Sequence, residues 1–209
     1  MGTLLAILLG AYLIGCLHGS TVAQILSGVN LKETGVKNAG ASNATIVLGK
    51  KYGILVAAID IAKGAVAILF VYVLFHFVNY PETAQMLYLF VASAAAVIGH
   101  NFPFYMKFNG GKGTATIIGV LIALNWKLGL LALLLFLVVT VVTDYIVLGV
   151  MTLYISLVII AIWKYPTLWT LLIALILMLI AVLKHIENFK RIKNGEEKKV
   201  SAVLWKKKS

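Results

Sequence analysis

The sequence predicts an all-α integral membrane protein of about seven transmembrane helices, with polar cytoplasmic-side loops forming a site. Three observations predict it. The 209 residues are 62% hydrophobic and only 12% charged, at a mean hydropathy of +1.01, whereas soluble domains average about 25% charged residues. The apolar residues come in runs long enough to cross a bilayer. Between the runs lie polar, glycine-rich stretches, which the membrane tolerates only where they line a wet cavity or bind something.

The spans follow in order. Residues 4–26 form the first, interrupted by Gly15, Cys16, Leu17, His18, Gly19 and Ser20. Such dense glycine suggests close helix packing or a break. His18 reads as a buried hydrogen-bonded histidine or a catalytic one. Residues 27–51 are polar and too long for a simple connector. They carry Lys32, Lys37, Lys50 and Lys51 with Asn38, Ser42, Asn43 and Thr45 among small residues. That mixture suits a polar head group, and a solvated loop is the plainer reading. Residues 52–78 span next, with Asp60 and Lys63 on one face. Opposite charges inside a membrane helix usually pair, and a direct chemical role is the alternative.

Residues 84–98 are the third span. They run into GHNFPFYMKFNGGKGTAT, residues 99–116. Residues 113–124 form a shorter fourth span, and Asn125, Trp126 and Lys127 an interfacial turn. Residues 128–143, 146–162 and 168–183 complete the set. A charged segment follows, and residues 188–209 read as a basic tail on a single domain of 1–209. Of the 18 Lys and Arg, only Lys127 and Lys164 fall on the side opposite the tail, and Lys63 lies within a span. The excess of basic residues marks the cytoplasmic side, so the C-terminus is expected in the cytoplasm and the N-terminus outside. Both polar stretches and the tail then share the cytoplasmic face.

The formal charge of +11 fits membrane topology and an anionic ligand better than nucleic acid, because the basic residues sit beside spans and no separate basic domain exists. The single cysteine, Cys16, excludes an intrachain disulfide and a cysteine zinc site. The opening MGTLLAILL lacks a basic n-region and reads as a retained span, and Ala6 breaks the myristoylation pattern. Lys206, Lys207 and Lys208 suit either a clamp on anionic lipid or a solvated end.

Gly110, Gly111, Lys112 and Gly113 have the composition of a phosphate loop but fail the Walker pattern, since Gly113 stands where Ser or Thr is required. Glycines can still form a nest of backbone N–H groups ahead of a helix, with Lys112 adding a cation. A glycine-rich turn with an interfacial lysine is the alternative. His185, Asn188 and Arg191 recur at spacings of three and share one face if the seventh helix continues. A histidine there can act as a base near neutral pH, or the face can simply be surface. No His/Cys cluster suits a metal.

Four stretches now converge: GVKNAGASNATIVLGKKYG at residues 35–53, DIAKG at 60–64, residues 99–116, and HIENFKRIKNGEE at 185–197. Together they resemble the bacterial membrane acyl-phosphate:glycerol-3-phosphate acyltransferase family. The resemblance implies a multi-pass protein of the bacterial cell membrane. The implied reaction transfers a fatty acyl group from acyl phosphate to glycerol 3-phosphate, giving lysophosphatidic acid and phosphate. Its partners would be those substrates and membrane lipids, with no cofactor and no metal. It places Gly110, Gly111, Lys112 and Gly113 at the substrate phosphate, and Lys37, Asn38 and Asn43 are expected to bind that phosphate with them. His185 and Asn188 would stand near the reacting hydroxyl and carbonyl, with Asp60, Lys63, His100 and Glu196 structural or supporting. The chain departs from the pattern at Val36 and Ile46, where the family carries Ser and Arg, and at Lys37, where it carries Gly. The early Gly-Ser-Ile-Pro signature reads Gly15, Cys16, Leu17, His18. A relative that binds an anionic lipid or phosphorylated metabolite without acylating glycerol 3-phosphate is the alternative.

Overall fold

The computed structural model describes residues 2–204, and among them every regular element is helical. Helices α1 (Gly2–Cys16) and α2 (Gly19–Ser27) form the first span, broken at Leu17 and His18. The short α3 (Ala41–Leu48) precedes α4 (Lys50–Phe77) and α5 (Glu82–Asn101). After the glycine loop come α6 (Thr114–Leu124), α7 (Trp126–Thr143), α8 (Ile146–Trp163) and α9 (Leu168–Lys184). Helices α10 (Ile186–Lys193) and α11 (Val200–Leu204) follow.

Five helical segments are long and apolar enough to cross a membrane, and α9 with α10 supplies a sixth, bent by 50°. The expected continuous seventh helix therefore turns at His185, where an apolar helix gives way to the charged IENFKRIK of α10. Helix α6 has 11 residues, about 16 Å of helix against a hydrocarbon core of about 30 Å, so it is apolar but too short to cross by itself.

Small residues bring the spans together. A Cβ on Gly15 would overlap the Ala96 carbonyl, and one on Gly99 the Tyr12 carbonyl, so α1 lies directly against α5. Gly64 meets the Thr116 carbonyl and Gly119 the Ile61 carbonyl, locking α4 to α6 in the same way. This is the small-residue packing of membrane helices, where backbones must approach closely because lipid supplies no hydrophobic drive. The core between them holds Ile7, Phe90, Ile117, Leu121, Tyr154 and Leu177. Leu5, Leu9 and Leu13 of α1, Leu134, Val138 and Val141 of α7, and Ile176 and Leu179 of α9 are exposed outward, as lipid-facing residues should be.

At one end of the bundle Thr3 and Tyr80 share a hydrogen bond of 2.6 Å. At the other, α11 docks on the α7–α8 turn. Asp144, left-handed at φ 63°, accepts from the Val200 N–H through its carbonyl. Its carboxylate takes the Ser201 N–H at 2.8 Å and the Ser201 hydroxyl at 2.6 Å. These bonds to the charged form hold the Asp144 carboxyl below the usual range. Lys206, Lys207 and Lys208 lie outside the described residues.

Candidate functional site

The floor of the site is an ion pair inside the bundle. Asp60 and Lys63 are buried on α4, 2.9 Å apart. Lys63 Nζ also donates to the Leu17 carbonyl at 2.7 Å and lies 2.8 Å from His100 Nδ1. Asp60 accepts from the Gly19 N–H at 3.2 Å. Both partners of the ion pair therefore also bond to the Leu17–His18 break in the first span. His18, buried there, stacks on His100 at 4.6 Å. His18, Asp60 and His100 bring one ligand atom each within 4.8 Å of one another. The Lys63 ammonium already stands beside two of them, so the cluster is organised around an ammonium rather than a metal ion.

The glycine loop rests on this floor. Because Lys63 donates to His100 Nδ1, the ring proton belongs on Nε2. That atom lies so close beneath Gly111 that a Cβ there would overlap it. A Cβ on Gly110 would strike the His100 carbonyl and Pro103. The Gly110 N–H donates to the Asn101 carbonyl and the Gly111 N–H to the His100 carbonyl, each at 3.0 Å. These two amides therefore close the loop. The open donors are those of Lys112, Gly113 and the first turn of α6, where a helix N-terminus leaves N–H groups free. Gly113 takes φ 82°, a left-handed turn that favours glycine.

The polar segment before α4 is built around Asn43. Its amide donates to the carbonyls of Leu31, Thr34 and Asn38 at 2.8 to 3.0 Å, and its oxygen accepts from the Val36 N–H at 2.9 Å. Asn43 thus acts here as a staple, and Asn38 contributes its carbonyl. Asn43→Ala strands those buried carbonyls and is expected to cost about 2–3 kcal/mol, read as a lower thermal midpoint in detergent; an unchanged midpoint would refute the staple. Lys37 is exposed at φ 52°, and among the described residues no side-chain hydrogen bond ties it to the glycine loop. Lys32 makes that contact instead, donating to Asn109 Oδ1 at 2.9 Å and the Gly110 carbonyl at 3.4 Å.

Helix α10 closes the third side. His185 is buried and caps it, with Nδ1 2.8 Å from the Ala181 carbonyl. A carbonyl only accepts, so the proton sits on Nδ1 and Nε2 presents a lone pair. Asn188 Oδ1 accepts a short hydrogen bond from Lys112 Nζ. Asn188 Nδ2 donates to Glu197 Oε1, and Arg191 Nε to Glu197 Oε2, both at 2.6 Å. Gly195, at φ 73°, turns the chain back for this. The carboxylate in the network is Glu197; Glu196 is exposed. Burial, and then the nearby Arg191 charge, push the Lys112 ammonium down to about 8. Lys184, beside His185, donates to the Asn101 carbonyl at 3.3 Å and lies over the Phe102 ring.

Thus Lys112 and Asn188, distant in sequence, meet, as do Asp60, Lys63 and His100. Lys32, Lys184 and Glu197 are additions to the expected set. Lys32 and Lys184 were indistinguishable by type from the other loop lysines, and only the turn at Gly195 selects Glu197 over Glu196. Beside the loop, an apolar cleft of about 640 Å³ is walled by Leu17, Thr21, Val22, Ile59, Phe104 and Tyr105. Tyr105 holds its rim, donating to the Cys16 carbonyl at 2.7 Å.

Fold and site together define a multi-pass membrane protein with a cationic glycine loop beside an apolar cleft, a combination suited to phosphate-bearing lipids. Residues 5–195 match the family model described as glycerol-3-phosphate acyltransferase, and the chain belongs to that family. It is 44% identical over 205 residues to glycerol-3-phosphate acyltransferase 1 of Oceanobacillus iheyensis, covering 98% of each chain. It is 32% identical over 209 residues to the Nostoc glycerol-3-phosphate acyltransferase, covering 95% of this chain and 92% of that one. The crystal structure of PlsY (YgiH), an integral membrane glycerol 3-phosphate acyltransferase, in its glycerol 3-phosphate form superimposes with a TM-score of 0.85. The pair is 30% identical, over 98% of this chain and all of that one. The lysophosphatidic acid form gives 0.82 at the same identity.

Proposed function

We propose that the chain transfers a fatty acyl group from acyl phosphate to glycerol 3-phosphate, yielding lysophosphatidic acid and phosphate. The observation that carries this reading is the Lys112–Asn188 contact, which sets a cationic loop next to a histidine whose Nε2 is a free base. The open amides of Lys112 and Gly113 and the Lys112 ammonium hold the acceptor phosphate. His185 Nε2 takes the proton of the attacking hydroxyl, and Asn188 orients the reacting groups. The new ester C–O bond forms as the acyl C–O bond to phosphate breaks. The proton on His185 then passes to the departing phosphate. Acyl phosphate is already activated, so no covalent enzyme intermediate is required.

Purified protein given acyl phosphate and glycerol 3-phosphate is expected to release phosphate and lysophosphatidic acid in equal amounts. Phosphate release that ignores glycerol 3-phosphate would count against the reading. Val36 and Ile46 favour a second reading, a binder of phosphorylated ligands, because neither supplies the hydroxyl or guanidinium of the family pattern. Thermal stabilisation by such ligands without turnover would select it.

The same reading places the protein in the bacterial cell membrane, with the site and the tail from residue 188 in the cytoplasm and the N-terminus outside. The excess of lysine and arginine on the site's side supports this. Asn194→Cys is expected to react with a membrane-impermeant maleimide only after cells are opened; labelling of intact cells would reverse the orientation.

A further inference from the structure

We propose that Lys32 and Lys184 together form a seat for the phosphate of the acyl donor, separate from Lys112, which serves the acceptor. The inference rests on the acyltransferase reading and names how that site divides its two phosphates. Lys32 and Lys184 come from opposite ends of the chain and close on one rung of the glycine loop. Lys184 reaches the Asn101 carbonyl at 3.3 Å, the same oxygen that accepts the Gly110 N–H. Lys32 reaches the Gly110 carbonyl at 3.4 Å. Both side chains are half-buried.

Neither pairs with an acid among the described residues. The ion pairs among the described residues are those of Asp60 with Lys63 and His100, Glu187 with Lys190, and Glu197 with Arg191. Two half-buried like charges gathered without a counter-ion are costly, and a bound anion relieves the cost. Burial alone already depresses the Lys32 ammonium. Each ammonium carries three donors; Lys32 spends two on Asn109 and Gly110, and Lys184 one on Asn101.

The apolar cleft decides which phosphate belongs there. Its walls include Thr21 and Val22 of α2, which leads straight into the segment bearing Lys32, and Phe104 and Tyr105 of the loop that Lys32 and Lys184 grip. A fatty chain in the cleft therefore carries its head group to the Lys32 side. Lys112 is engaged instead by Asn188 of α10. Charge developing on the departing phosphate then meets two cations fixed in place before the reaction, the arrangement that lowers such barriers most effectively.

The test is a split between two Michaelis constants. Lys32→Gln and Lys184→Gln keep a hydrogen-bond donor and remove the charge. Each is expected to raise KM for acyl phosphate about tenfold and leave KM for glycerol 3-phosphate within about twofold. Competitive inhibition by inorganic phosphate against acyl phosphate should weaken in parallel, and Lys32→Arg should retain near-normal values. A rise in KM for glycerol 3-phosphate instead, or a fall in kcat with no split between the constants, overturns the seat. If the unmodified protein shows no turnover, the acyltransferase reading fails separately. The seat is then read from inorganic phosphate raising the thermal midpoint. Protection lost in both Gln variants supports it, and protection kept in both overturns it.

Discussion

Lys112→Ala is expected to lower acyl transfer at least a hundredfold while the protein still folds. The lysine is half-buried at a loop that keeps its main-chain bonds without it. What is lost is the ammonium at the acceptor phosphate and its grip on Asn188. Removing one fixed donor or charge from where a reaction needs it commonly costs a factor of about 10²–10³. The pH profile carries a sharper signature. The working form is the ammonium, and its pKa is lowered to about 8. Activity that depends on it is therefore present below pH 8 and is lost as pH rises through that value. Arginine stays protonated throughout, so Lys112→Arg should remove that alkaline limb even where its planar fork fits the site poorly. An alkaline limb unchanged in Lys112→Arg would assign it to another group and remove the argument for Lys112. A phosphate bound beside the ammonium raises its pKa again, so binding near pH 8 should take up protons, visible as a buffer-dependent heat in calorimetry.

The second large effect is on the fold. Lys63→Met removes the ammonium from the buried Asp60 carboxylate and leaves it the Gly19 N–H and the His100 ring, 3.7 Å away. Breaking one side of a buried pair costs about 3–5 kcal/mol, and water is scarce inside a membrane bundle. The thermal midpoint in detergent should fall by far more than for Lys127→Met, an exposed lysine near the Trp126 ring. The double change Asp60→Asn with Lys63→Met should recover much of the loss, because the uncompensated charge is gone. Equal midpoints for the two single variants would show that the pair contributes nothing. The same substitution takes the donor from His100 Nδ1. The ring under Gly111 then loses its anchor, and transfer should drop at temperatures where the variant is still folded.

These expectations depend on contacts that the sequence revealed unevenly. The spans were legible because lipid demands long apolar runs, and α4, α7 and α8 fall close to where the hydropathy puts them. The Asp60–Lys63 pair was legible because helical periodicity alone sets residues three apart on one face. The break at Leu17 and His18 was visible as a glycine cluster, but its use was not: it lets Asp60 and Lys63 bond to main chain in the middle of a span. Asn43 read as a ligand-binding amide because its type suits a head group. Its engagement with Leu31, Thr34 and Asn38 depends on how a loop folds upon itself, which no periodicity encodes. The two loop glycines, Gly110 and Gly111, suggested a nest of donors. Only the return of the chain onto His100 and Asn101 shows that their amides are already used and that absence of a Cβ is what they contribute.

The paired glycines of α1, α4, α5 and α6 set the terms on which this chain can change. On the outer face of α7 a leucine can become a valine or isoleucine with little consequence, since fluid lipid adapts to either shape. At Gly15 and Gly64 even a methyl group meets a fixed carbonyl, and two rods must separate along their length to admit it. The apparent monotony of the composition therefore hides two alphabets, one interchangeable and one admitting a single letter. Drift between relatives should run along the lipid-facing surface and halt at the seams.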